Sequence, residues 1–131
     1  MRSTHIGLGI GFFLIACSAA QAEACKAVVP SEAVTSDVKT AIKFTSKINV
    51  PARWLWSQPT GTLSEKHVIK GNSTVSLSGS KGQVFYVEAT LDGERKCPAT
   101  LKITSPKTCR VTLVQDADFF YVDTAGGCEK I

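Results

Sequence analysis

The sequence predicts an all-β sandwich that is exported from the cell and held together by disulfide bonds. Three observations lead to this prediction. Short runs rich in β-branched and aromatic residues recur along the chain, separated by turns of glycine, proline and asparagine. The first residues have the composition of a secretory signal. Beyond that signal, an even number of cysteines remains, which is typical of disulfide-linked exported domains.

An N-terminal signal peptide is predicted over residues 1–22. Arg2 gives the segment a positive start, and residues 6–16 form an apolar run that is too short to span a bilayer. The segment ends in Ala-Gln-Ala, which is an A-x-A cleavage site. Cleavage there leaves residues 23–131 as a single soluble domain, either periplasmic or secreted.

A second route of processing stays open at Cys17. Residues 14–17 read Leu-Ile-Ala-Cys, which resembles the lipobox of bacterial lipoproteins. Acylation of Cys17 would anchor the chain to a membrane through its lipid. Membrane attachment is therefore expected only if Cys17 is lipidated, and we favour the soluble form because the A-x-A site is well placed.

The remaining four cysteines predict two disulfide bonds. They are Cys25, Cys97, Cys109 and Cys128. Three pairings are open, and we favour Cys25 with Cys97 and Cys109 with Cys128. The second bond would staple a C-terminal hairpin, because Gly126 and Gly127 let the chain fold back, and it would stabilise the fold by about 3 kcal/mol.

Residues 38–50 show the clearest periodicity of the chain. Apolar side chains such as Ile42 and Phe44 occupy even positions, and lysines such as Lys43 occupy odd positions. This period of two predicts a half-buried strand. A helix with Val38 and Ile42 on one face is the alternative, and the β-branched content favours the strand.

Further strands and turns follow in regular succession. Strands are predicted at residues 53–56, 67–70, 74–78, 83–91, 101–104, 110–114 and 119–123. Asp92-Gly93 predicts a tight hairpin turn, because both residues tolerate positive φ. Pro98 restricts the start of the next strand to an edge or a bulge. Residues 115–118 are expected to form the loop of the last hairpin.

The middle of the chain resembles a bacterial immunoglobulin-like sandwich. The segments that carry the resemblance are "WLW", "STVSLS" and "GQVFYVEATLDG", in that order within residues 36–105. The resemblance implies a small immunoglobulin-like β-sandwich and no particular activity. An antibody-type domain would have a disulfide across its sheets, but Phe44 and Val87 or Ala89 occupy the comparable stretches. Tyr86 is a candidate for the tyrosine corner of that fold.

The sequence offers no convincing catalytic or metal site, so we expect a protein that is not an enzyme and has no cofactor. The mature chain has a single histidine, His67, which cannot form a metal site or a triad by itself. Residues 78–81 fit the S-x-x-K pattern, but we interpret them as a turn. The nearby residues Asp116, Asp118 and Asp123 lack the spacing and glycine of a calcium loop.

Aromatic residues are the best candidates for a binding surface. Trp54 and Trp56 share one strand face and fit either the core or a platform for sugar rings. In residues 119–122 both strand faces are apolar, so Phe119 and Tyr121 need a cover. We expect the N-terminal segment to supply this cover, and a protein partner is the alternative.

These observations predict an exported, non-enzymatic binding module that acts on a protein partner, whose identity the sequence does not give. A small secreted effector or inhibitor is one alternative, and a carbohydrate-binding module using Trp54 and Trp56 is another. The net charge of +4 is modest and spread along the chain. It therefore argues against nucleic acid as a partner.

Overall fold

The computed structural model describes residues 24–31 and 39–131, and every regular element within them is a β-strand. The strands are β1 (Lys39–Ser46), β2 (Ala52–Ser57), β3 (Leu63–Ile69), β4 (Ser73–Ser80), β5 (Val84–Leu91), β6 (Glu94–Ile103), β7 (Cys109–Asp116), β8 (Phe119–Gly126) and β9 (Cys128–Lys130). The described segments contain no helix of the length and apolarity that a bilayer span requires. The predicted signal peptide, its cleavage site and Cys17 lie outside the described residues.

The strands form two sheets that pack face to face, which confirms the predicted all-β sandwich. One sheet has four strands in the order β4-β1-β7-β8, and the other has five in the order β3-β2-β5-β6-β9. Neighbouring strands are antiparallel except β1 and β7, which run parallel. We call these the four-stranded sheet and the five-stranded sheet.

The alternating segment near the N-terminus is a strand, as the period of two predicts. In β1 the even positions Thr40, Ile42, Phe44 and Ser46 are buried, and most odd positions are exposed. The helix alternative is therefore wrong. The strand ends at Ser46, earlier than predicted, although Ile48 still points into the core at 2 % exposure.

Both predicted hairpin turns are present. Asp92 and Gly93 have φ values of 52° and 80° and join β5 to β6. In the last hairpin only Ala117 and Asp118 lie outside the strands, because Asp116 pairs directly with Phe119. This loop is shorter than the four residues expected.

Strand β6 begins at Glu94, well before the predicted start, and Pro98 lies inside it. The pairing of β5 with β6 shifts between Val87 and Ala89, so Glu88 faces both Cys97 and Pro98. Proline fits here because a bulge leaves a residue without a ladder hydrogen bond. Both predicted settings for Pro98 occur among the described residues, because β9 pairs only with residues 101–103 and leaves this part of β6 at the edge of the sheet.

The core lies between the two sheets around Trp54. The indole of Trp54 stacks on Phe85 with ring centroids 4.8 Å apart and meets Phe44 edge-on at 5.6 Å. All three side chains are at most 1 % exposed. Val87 is the direct neighbour of Trp54 on β5. Phe44 on the four-stranded sheet and Val87 on the five-stranded sheet are thus apolar neighbours of the tryptophan.

The favoured disulfide pairing is the one that the structure contains. Cys25 bonds Cys97 and Cys109 bonds Cys128, with Cα–Cα distances of 5.2 and 5.3 Å. The chain reaches the position of the second bond through a turn at Gly126, whose φ is 84°. Only glycine fits there, because a Cβ would lie 1.9 Å from the carbonyl oxygen of Thr108. The C-terminal hairpin is therefore stapled as predicted.

Candidate functional site

The outer face of β8 carries an exposed aromatic pair. Phe119 is 63 % exposed and Tyr121 is 49 % exposed, and their ring centroids lie 6.4 Å apart. The alternate residues Phe120 and Val122 point inward and are 9 % and 2 % exposed. Both faces of β8 are thus apolar, as the sequence predicts, but only the inner face is buried.

The N-terminal residues that the structure describes do not cover this pair. Residues 24–31 cross the outer face of the five-stranded sheet instead. Tyr86 accepts hydrogen bonds at its hydroxyl from the amides of Val28 and Val29, at 3.1 and 3.2 Å. The hydroxyl of Ser31 accepts another from the Val84 amide at 2.8 Å. The expectation that the N-terminal segment covers Phe119 and Tyr121 is therefore wrong for residues 24–31.

The N-terminal segment is fixed to the five-stranded sheet by a buried carboxylate whose role does not follow from the sequence pattern. Glu88 is 1 % exposed and accepts hydrogen bonds from the amides of Ala24 and Cys25, at 2.7 and 3.3 Å. The guanidinium groups of Arg53 and Arg95 lie 2.6 and 2.9 Å from the same carboxylate. The one signal in the sequence is a single charge within the apolar run of β5.

The hydrogen bonds at Glu88 determine its protonation. Burial alone raises the pKa of a carboxyl group. Here the bonds from the Ala24 amide, from Arg53 and from the Cys25 amide outweigh burial, so the pKa of Glu88 lies below its ordinary value. Glu88 is therefore a charged structural anchor, and all of its partners belong to the chain itself.

The aromatic pair lies at one end of a surface with a regular order of side chains. The register of β7 with β8 pairs Asp116 with Phe119, then Val114 with Tyr121, Thr112 with Asp123, and Arg110 with Ala125. The register of β1 with β7 places Lys43 beside Arg110. We call these side chains, with their neighbours on β1 and β4, the outer face of the four-stranded sheet.

This outer face has opposite charges at its two ends and a further acidic side chain, Asp123, between them. Asp116 and Asp118 lie exposed beside Phe119 at the hairpin tip, while Lys43 and Arg110 lie exposed further along the strands. No acidic group of the described residues forms a salt bridge with Lys43 or Arg110. Two like charges side by side destabilise a sheet, so a partner with acidic groups would relieve this repulsion.

The two tryptophans do not form a common exposed platform. Trp54 is 1 % exposed and belongs to the core. Trp56 is half-buried, and the ammonium of Lys66 lies 4.9 Å from the centre of its ring. Of the two rings that the carbohydrate-binding hypothesis requires, only that of Trp56 is therefore partly exposed.

The remaining candidate residues are dispersed. His67 lies exposed on the edge strand β3, and residues 78–81 run from the end of β4 into a turn. Asp116, Asp118 and Asp123 lie on the last hairpin, and within the described residues no three metal-ligating side chains cluster. Compared with models of known protein families and with curated proteins, the chain has no match.

Proposed function

We propose that this chain is an exported, non-enzymatic binding module that makes a protein–protein contact through the outer face of its four-stranded sheet. The observation that carries the proposal is the exposure of Phe119 and Tyr121 at 63 % and 49 %. Exposed aromatic side chains that lie together are enriched in protein interfaces, where they act as anchors. The unbroken register from β1 to β8 presents them on a continuous surface.

The immunoglobulin-like class is part of the same proposal. Strands β1 and β4 are neighbours in one sheet, and β3-β2-β5-β6 are neighbours in the other. This is the arrangement of strands B and E and of strands C′, C, F and G in immunoglobulin domains. The buried Trp54 on β2 corresponds to the core tryptophan of strand C. Strands β7, β8 and β9 are then an addition, and they carry the proposed contact surface.

Export is proposed from the disulfides together with the signal-like N-terminus. Two disulfide bonds are compatible with an oxidising compartment such as the periplasm or the exterior. The intact mass of the chain purified from its native host tests this proposal. Cleavage after Ala22 gives the mass of residues 23–131 less four hydrogens, whereas acylation gives a heavier chain beginning at Cys17. A full-length mass would contradict export through either route.

A capture experiment tests the contact surface. The mature chain and its Phe119→Ser/Tyr121→Ser variant are immobilised and exposed to the exported proteins of the native host. A protein that binds the first and not the second is identified by mass spectrometry and titrated by calorimetry. Val68→Ser is the matched control, because Val68 is 50 % exposed but lies on β3 of the other sheet. Equal binding by all three chains would contradict the proposal.

A further inference from the structure

We propose that the partner on this outer face is a second copy of the chain, so that two four-stranded sheets pack face to face in a two-fold symmetric dimer. This inference rests on the proposed function, because it names the occupant of the same surface. It is carried by the order of charges along β7, where Arg110 and Asp116 lie at opposite ends and make the strand self-complementary.

The two ends of the face differ in chemical character: one is acidic and aromatic, and the other is basic. Acidic and aromatic side chains, Asp116 and Phe119, form the row nearest the hairpin tip. Thr112 and Val114 lie in the middle of β7 and carry no charge. Arg110 beside the small Ala125 forms the row beyond them. A two-fold axis that crosses the strands between Thr112 and Val114 exchanges these two ends.

This axis brings opposite charges together and leaves room for the aromatic rings. Asp116 of one copy then faces Arg110 of the second copy, and the reverse contact forms by symmetry. Phe119 lies over Ala125 of the second copy, whose methyl group leaves space for the ring. On β7 no like charges meet at the axis, because Thr112 and Val114 lie on either side of it. On β8 the same axis places Asp123 of one copy over Tyr121 of the second copy.

The surface is shaped for such a contact. The ladders that join β4, β1, β7 and β8 contain no bulge or shift of register. Small hydroxyl side chains cover its centre, including Thr45, Thr74 and Thr112. Four strands about 4.8 Å apart give a dimer interface of roughly 1,000 Å² in total, near the lower limit for specific association. An interface of this size is typical of weak complexes, with a dissociation constant on the order of 10 µM.

Sedimentation velocity of the mature chain over a range of concentrations tests the dimer directly. The wild type should sediment as a dimer at about 100 µM, tenfold above the expected dissociation constant. Arg110→Glu and Asp116→Lys should each weaken association at least tenfold, because each places two like-charge pairs across the axis. Lys130→Glu is the control for Arg110→Glu, since it changes the net charge equally on β9 of the other sheet.

The decisive variant is the charge swap Arg110→Glu/Asp116→Lys, which should restore association to nearly the wild-type level. Residues 110 and 116 lie on one strand about 20 Å apart, so they cannot rescue each other within a single chain. Circular dichroism confirms that each variant is folded.

Two results would overturn the inference. A wild type that stays monomeric rejects the second copy, while the capture experiment still decides whether Phe119 and Tyr121 bind a different protein. A dimer whose dissociation constant is unchanged by both single substitutions must form through another surface. That result contradicts this inference but says nothing about a partner found by capture.

Discussion

The guanidinium of Arg53 lies 2.6 Å from the carboxylate of Glu88, and this ion pair links β2 to β5 on the outer side of the five-stranded sheet. The same carboxylate holds the amide of Ala24 at 2.7 Å. A single buried charge thus joins two strands and the N-terminal segment.

Glu88→Gln is expected to lower the free energy of unfolding by about 2 kcal/mol, because a neutral amide accepts weaker hydrogen bonds than the buried carboxylate from the backbone amides and the two guanidinium groups. Urea denaturation measures the change. Glu94→Gln is the control, since Glu94 pairs with Lys96 in an exposed ion pair of little energetic value. Equal effects of the two substitutions would contradict the anchoring role of Glu88.

Stability should fall in acid because of Glu88. Its pKa in the folded chain lies below the ordinary value of 4.5, so the unfolded chain takes up the proton first as the pH falls. The stabilisation is complete above pH 4.5 and is lost as the pH decreases through the lower pKa of the folded state. Thermal melts of the wild type and Glu88→Gln should therefore converge as the pH is lowered below 4.5. A constant difference between the two chains would contradict this prediction.

Trp54→Ala is expected to destabilise the protein by about 4 kcal/mol, because it empties the space between Phe44 and Phe85 in the core. Trp56→Ala should cost clearly less, since that ring is only half-buried. Guanidinium denaturation compares the two variants. Similar decreases in the free energy of unfolding would mean that Trp56 contributes to the core as much as Trp54.

The two disulfides should contribute differently. Cys109→Ala/Cys128→Ala opens a loop with a sequence separation of 19 and should cost about 3 kcal/mol. Cys25→Ala/Cys97→Ala, with a separation of 72, should cost about 4 kcal/mol on the same chain-entropy basis. Only Cys25→Ala/Cys97→Ala should increase hydrogen exchange in residues 25–31, because of the two disulfides only Cys25–Cys97 holds this segment. Unchanged exchange there would show that the hydrogen bonds to Tyr86 and Glu88 suffice.

Local rules account for the elements that the sequence predicts well. The alternation in β1 needs only the geometry of a strand with one wet face. The Asp92-Gly93 turn needs only two residues that accept positive φ. The start of β6 cannot be predicted from the sequence, because residues 94–96 are charged and gain strand structure only from their pairing with β5.

The surface of the last hairpin was predicted in part. The apolar pattern of residues 119–122 shows that β8 has two apolar faces, but it does not show which segment lies on which face. The sequence predicts that the N-terminal residues cover β8, whereas hydrogen bonds to Tyr86 and Glu88 hold residues 24–31 on the other sheet. The row that joins Lys43, Arg110 and Ala125 depends on the parallel pairing of β1 with β7.

By itself, the sequence determined the β-strand character of this protein and its tight turns, since these follow from interactions between residues close in the chain, whereas it left three pairings of the cysteines open. The tertiary structure decided which strands are neighbours, where the N-terminal segment lies and why Glu88 is charged. These depend on contacts between residues far apart in the chain, such as Ala24 and Glu88, which are 64 positions apart. Such contacts form only when the two sheets and the segment over them bury their apolar faces together.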